Sequence, residues 1–424
     1  MHHRSILAGA AAALACVATV AAGCGGGEVA ERPAHRPISV IYVAGDPEGP
    51  WKARTEGLAD GVKIAIAERN GLIGERAVST VVVPIEQRDG TTVSAAIGGG
   101  RILRDSRAIA VLGTYSATQL PLAAPQLNGG ELSLLQYGTG MRGLTEREQP
   151  GEPGRFEPSG RRYALRSVPS DVAIAARVKG IPTFDGAQVV PVTGAYEASL
   201  EAAAKVRAKQ LQEARKQAAE DGDDPLPGTD PSLTNPSPEV PDADRLADAI
   251  ADATKGSVVS ASEASASKPT VIVADPTEPD ASAAVLAAVR EIGLERSAPL
   301  LVIDAADRPI EPRAAGNGRS GPTFRIRRTV ANAEAAQAKA VRARERELFG
   351  RDRGDAVVAG YQAAQRILNL GERQPERTID RVVFAKALTG PAPQDPNLPA
   401  GAVGDATLGT VSVDRLSGGR WTQR

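Results

Sequence analysis

The chain has 424 residues, more than one ordinary hydrophobic core accommodates. Its hydrophobic fraction of 42%, aromatic fraction of 3% and formal net charge of -1 exclude a multi-span membrane protein, a base-stacking platform and a global basic field for nucleic acid. Its only cysteines are Cys16 and Cys24, and its only histidines are His2, His3 and His35. Beyond His35 there is therefore no Cys–His or Ser–His nucleophile, no zinc site built on His or Cys, and no disulfide.

The first segment reads as an address. His2, His3 and Arg4 precede an apolar run over 6–22, which meets Ala21-Ala22-Gly23-Cys24 and then Gly25-Gly26-Gly27. A basic start, an apolar run and small residues before a cut describe a secretory signal. The cysteine after Ala-Ala-Gly resembles a lipobox, with Ala21 in place of the usual Leu; on that reading 1–23 is a lipoprotein signal peptide and Cys24 carries the lipid. The alternative is a plain secretory signal with Cys24 incidental. Pro33, Pro37 and several charges make 24–37 a tether that holds the body on the outer face of the cell membrane.

From there strands alternate with helices. The β-branched run 38–44 predicts a buried strand ending at Gly45-Asp46-Pro47, and 52–69 a helix carrying Leu58, Val62, Ile64 and Ile66 inward, stopped by Asn70-Gly71. Strands follow at 78–85, 108–112 and 132–137, with helices at 92–105 and 116–127. After a Gly/Pro-rich loop to 161, residues 162–168 read as a strand and Ser170 opens another helix. The alternation restarts with strands at 188–192, 270–274 and 300–303 and helices at 195–219 and 281–292. An insert at about 220–242 holds Pro225, Pro227, Pro231, Pro236, Pro238 and Pro241 among many Asp residues and reads as loosely packed. A Ser/Ala-rich patch spans 257–268, and late helices are predicted at 331–349, 355–370 and 379–388. This alternation implies parallel sheets covered on both faces.

Several motifs then stand in a familiar order. Gly57 and Gly61 lead to Glu68-Arg69-Asn70-Gly71 and Gly74; Ala110-Val111-Leu112-Gly113-Thr114-Tyr115-Ser116 ends a strand in Gly-x-x-Ser. Leu165-Arg166-Ser167-Val168-Pro169-Ser170-Asp171 reads as a crossover, Phe349-Gly350 precedes Ala359-Gly360-Tyr361-Gln362-Ala363, and Gly401 to Asp414 is a Gly-rich return. In this order the chain resembles the type I periplasmic binding proteins of the branched-chain amino acid (leucine-binding-like) ABC transporter family. The Pro/Asp insert, the lone Tyr196 where a Tyr-Gly pair is usual, and a shortened closing strand depart from that pattern.

The resemblance implies an α/β fold of two Rossmann-like lobes with parallel sheets joined by a three-strand hinge. The lobes would be 38–168 with 325–395, and 169–324 with 396–424, crossing near 168–171, 323–328 and 393–402. It implies a receptor, not an enzyme, that closes on a small polar, amino acid-like ligand and delivers it to an ABC permease, with no cofactor, metal or nucleic acid. Ligands of open α/β sheets sit beyond the carboxyl ends of the strands. The candidate contacts are accordingly Trp51, Tyr115, Ser116, Thr118, Tyr137 and Thr139 from the first lobe, and Tyr196 and Asp304 from the second. Ser116-Ala117-Thr118-Gln119 fits a capping box that would seat a carboxylate at a helix N-terminus. Capping alone is the plainer role of Ser116, Thr118 is a rival cap because Pro121 follows, and Trp51 serves equally as packing.

Two other readings stand beside this one. A surface-anchored sensory or interaction lipoprotein would keep the fold without transport. An enzyme has little support: no Gly-x-Gly-x-x-Gly or Walker loop occurs, and Ser265-Ala266-Ser267-Lys268 lies in the low-complexity patch.

Overall fold

The computed structural model describes residues 38–45, 51–85, 93–117, 119–146, 151–192, 242–274, 281–304, 310–316, 319–328, 336–374, 379–389 and 411–423. The segments predicted as signal, tether, long charged helix (195–219), Pro/Asp insert and third crossing (393–402) lie outside them.

Two sheets organise these residues. The first contains β1 (Ile38–Gly45), β2 (Leu72–Ile73), β3 (Arg76–Pro84), β4 (Ala108–Gly113), β5 (Ser133–Gln136) and β6 (Ala164–Arg166), in the order β2-β3-β1-β4-β5-β6. All its pairings are parallel except the short β2–β3 turn. The second contains β7 (Gln188–Val192), β8 (Ser257–Val258), β9 (Thr270–Ala274), β10 (Leu300–Asp304), β11 (Thr323–Arg328), β12 (Val411–Ser417) and β13 (Arg420–Gln423). Its order is β13-β12-β11-β10-β9-β7-β8, parallel up to β11 and antiparallel beyond. Leaving aside β2, β12 and β13, each sheet has its first strand between the second and the third. The same winding therefore occurs twice, each time with a switch point where the connections leave in opposite directions.

Alternation explains why the strands read as unbroken apolar runs. In β1, Ile41 and Val43 enter one core while Val40, Tyr42 and Ala44 enter another on the opposite face. In β9 and β10, Val271, Val273, Leu301 and Ile303 share a core, and Ile272, Ala274, Leu300 and Val302 share the next. A strand buried on both faces has no polar side.

Helices cover all four faces. On the first sheet, α1 (Lys52–Glu68) and, late in the chain, α8 (Ala336–Phe349), α9 (Asp355–Glu372) and α10 (Arg381–Thr389) pack on one face; α2 (Val93–Leu103) and α3 (Leu120–Gly129) pack on the other. The second sheet carries α4 (Asp171–Lys179) and α5 (Asp242–Thr254) on one face, and α6 (Ala281–Ile292) and α7 (Pro312–Gly316) on the other. The chain thus passes between the sheets three times: after β6, after β11 and after α10.

Three differences from the sequence reading are instructive. No element was expected between the insert and Thr270, yet α5 is present, burying Ala243, Leu246, Ala247 and Ile250 at helical spacing. Its amphipathic stripe, with four aspartates on the other positions, is legible in the sequence but adjoins the Pro-rich segment. Helix α3 begins at Leu120 rather than at residue 116, because the preceding residues make a capping turn. The closing segment is not a shortened strand but the hairpin β12–β13, pinned by the buried pair Arg325–Asp414 and by Trp421, whose indole N–H donates to the Ile310 carbonyl at 2.7 Å.

Helices α1 and α9 pack backbone against backbone. A Cβ on Gly61 would meet the Val357 carbonyl and lie 2.5 Å from the Tyr361 nitrogen. One on Gly57 would lie 2.6 Å from the Ala356 Cβ, and one on Gly360 would strike the Leu58 backbone. Glycine is required here for backbone-to-backbone approach, not for its turn geometry. We expect Gly61→Ala to cost about 1–3 kcal/mol or more by overpacking, read as a lowered midpoint in chemical denaturation.

Candidate functional site

The carboxyl edge of the first sheet gathers the residues after β1, β4 and β5, where open α/β sheets bind ligands. At its switch point, between β1 and β4, the Thr114 N–H donates to the Ala44 carbonyl at 2.9 Å, and the Thr55 and Thr114 hydroxyls share a hydrogen bond of 2.8 Å. Gly45 is enclosed by both hydroxyls, so a side chain there would displace them.

Arg54 locks the next strand to this corner. Its guanidinium lies 4.4 Å from the Trp51 ring centroid and donates to the Tyr137 carbonyl and, at 3.4 Å, to that of Gly138. Both Arg54 and Trp51 are buried. The Tyr115 carbonyl accepts from the Thr139 N–H at 2.9 Å and from the Gln136 amide at 2.5 Å, and Gly138 lies too close to that carbonyl to carry a side chain. Thr139 in turn accepts from the Met141 N–H at 3.1 Å. The result is a buried polar rim in which the loops hydrogen-bond to one another.

The capping turn completes it. The Ser116 hydroxyl accepts from the Gln119 N–H at 3.3 Å, and the Gln119 side-chain oxygen accepts from the Ser116 N–H at 3.1 Å. This is the reciprocal capping box, with Pro121 in the first turn of α3.

Behind the rim the crossover is tied by an ion pair. Asp171, the first residue of α4, faces Arg328, the last of β11, at 3.4 Å, and both are buried. Gly140 sits against them: a Cβ there would lie 2.6 Å from the Arg328 guanidinium and 2.9 Å from the Asp171 carboxylate. Ser170 caps α4, accepting from the Ala173 N–H at 3.1 Å.

The fold is similar to that of solved structures. A substrate-binding protein of an ABC transporter from Desulfitobacterium hafniense, in complex with Leu, superposes with a TM-score of 0.52 at 15% identity, over 91% of this chain and 100% of that one. LivJ from Streptococcus pneumoniae, a branched-chain amino acid transporter substrate-binding protein in complex with isoleucine, gives 0.56 at 12% identity, over 91% and 100%. A solute-binding protein from R. palustris in complex with benzoate gives 0.57 at 11% identity, over 91% and 95%. The fold is that of the type I periplasmic binding proteins. No family model and no curated protein matches the chain.

Within the type I fold, the structure brings Trp51, Tyr115, Ser116, Tyr137 and Thr139 together at one edge, but their side chains do different things. The Tyr115 ring belongs to the core under α3 and the Tyr137 ring to the core under α1 and α9. Both are fully enclosed, and burial pushes the Tyr137 hydroxyl up to about 12 and the Tyr115 hydroxyl higher still. Asp304 ends β10 at the carboxyl edge of the second sheet. Thr118 and Tyr196 lie outside the described residues.

Arg54, Thr55 and the Asp171–Arg328 pair were missed from sequence. Arg54 had a signal: a charge one helical turn after Trp51, on the side that Leu58 and Val62 bury. The partner of Asp171 had none, since 157 residues separate the two. Among the described residues no cluster of His, Cys, Asp and Glu could hold a metal ion, and no helix is long and apolar enough to cross a membrane.

Two variants separate framing from packing in this rim. Ser116→Ala should lower stability by about 1 kcal/mol through loss of the cap. Tyr115→Phe should leave stability unchanged or raise it by about 1 kcal/mol, because the buried Tyr115 hydroxyl has no hydrogen-bond partner. Both are read from denaturation midpoints.

Proposed function

We propose that this chain is an extracytoplasmic solute-binding receptor that captures a small carboxylate, an amino acid or an aromatic acid, in a cleft between two lobes, and hands it to an ABC permease. The observation that carries the reading is the twice-wound parallel fold with a pre-organised polar rim at its first switch point. The structural neighbours support the ligand class: those described above hold Leu, isoleucine and benzoate, and another R. palustris solute-binding protein holds 4-hydroxybenzoate, all of them carboxylates.

The first lobe offers the capping turn at Ser116, where the positive end of α3 favours an anion, and Trp51 as an apolar wall. Tyr137 and Tyr115 support that rim from within. The second lobe contributes from the ends of β9 and β10, Asp304 among them, and from the segment that contains Tyr196. The lobes follow the two sheets, with the boundary expected at 324/325 moved to the end of β11 because Arg325–Arg328 pair within the second sheet, and ligand shifts them toward the closed form by contacting both. The lipid on Cys24 and the tether 24–37 keep the receptor on the outer face of the membrane, beside its permease. Binding, not turnover, is the role of this site.

A thermal-shift screen of residues 25–424 against amino acids, amides and small aromatic acids tests the reading. Ligand at a hundredfold excess over Kd should add about 2.7 kcal/mol of stability, seen as a raised Tm with one chemical class. A folded, ligand-free protein that answers none of these compounds would instead support a surface sensory or interaction lipoprotein.

A further inference from the structure

One acidic side chain outside the rim has no structural counter-charge of its own. Glu345, on α8, is completely buried where α8, the connection 350–354 and α1 meet. One of its oxygens accepts from the Arg353 N–H at 2.9 Å; the other has no hydrogen-bond partner. Ionised carboxylates in such places are paired, because an unpaired buried charge is strongly disfavoured.

The charges around it are already committed. From α1, Asp60 is also completely buried and takes the forked Arg351 guanidinium at 2.7 and 2.9 Å, with Lys63 at 3.6 Å. Glu56, also on α1, takes Arg353. On α8 itself, Arg342 is held by Asp352 at 3.0 and 3.1 Å, and Asp355 opens α9 nearby. Each arginine facing this junction thus has another carboxylate, while Asp60 and Asp352 add negative potential at Glu345.

We propose that Glu345 is held as the neutral acid in the folded protein and makes the α8–α9 connection a proton-dependent latch on α1, firm when protonated and loosened as pH rises. A single un-ionised carboxyl accepts from the Arg353 N–H, leaves Arg351 to Asp60 and adds no third negative charge. Burial is the largest cause and pushes its titration above the ordinary glutamate range; the Arg353 N–H opposes it next, Asp60 and Asp352 raise it further, and Arg351 lowers it least. The sign of the linkage follows. A carboxyl raised on folding gives its full stability below the unfolded value, about 4.3, and loses it as pH rises to the folded value.

The test is the pH profile of Tm for the full chain, Glu345→Gln and a control, Glu347→Gln, whose exposed side chain pairs with Arg344 at 2.6 Å. The amide keeps the shape and the neutral state. Glu345→Gln should raise Tm by about 2 °C or more at pH 8, match the parent near pH 4 and flatten the decline between them, while Glu347→Gln runs parallel to the parent. A Glu345→Gln protein with an unchanged or lowered Tm at pH 8, or one that fails to fold, would show that Glu345 is ionised and paired, and would overturn the proposal. Neither outcome depends on a ligand, so it stands apart from the receptor reading.

Discussion

Everything at the carboxyl edge of the first sheet depends on how near α1 comes to α9. Gly57, Gly61 and Gly360 let two helix backbones touch where any other residue would hold them apart. That contact fixes the depth of α1 over the sheet, and the first turn of α1 carries Trp51, Arg54 and Thr55. From there Thr55 reaches Thr114, Arg54 reaches the carbonyls after β5, and the rim closes. Interiors are packed densely enough that a displacement at the glycines would be transmitted rather than absorbed.

The contact joins residues about three hundred positions apart, so one face of the first sheet is covered by helices from both ends of the body. The crossover also joins distant residues, where Asp171 at the start of α4 meets Arg328 at the end of β11. The chain between them builds most of the second sheet. A body laced together in this way links its two sheets through the segments that cross between them.

Polar groups in the rim are buried, yet they are largely used by one another. The capping box occupies the Ser116 hydroxyl and the Gln119 amide, and the Tyr115 carbonyl holds both Thr139 and Gln136. Such networks fix a unique arrangement when their members are satisfied.

The sequence by itself determined the alternation of strands and helices and the start of α4 at Ser170, and it offered Ser116 as a cap with Thr118 as its rival, between which the structure chose Ser116. These rest on local periodicity and side-chain-to-backbone bonds within four residues, which a sequence displays directly. It also marked Gly57 and Gly61, though not what they face. Only the tertiary structure decided that the Tyr115 and Tyr137 rings turn into separate cores, that Arg54 is buried beneath Trp51, that Glu345 loses all solvent, and that the last residues form a hairpin. Helix α5 shows the boundary between the two. Its apolar stripe is present in the sequence, but its place follows from the face of the second sheet that it and α4 cover together. Each of these outcomes depends on partners distant along the chain, and it is packing against those partners, rather than local preference, that selects among conformations the sequence alone leaves equivalent.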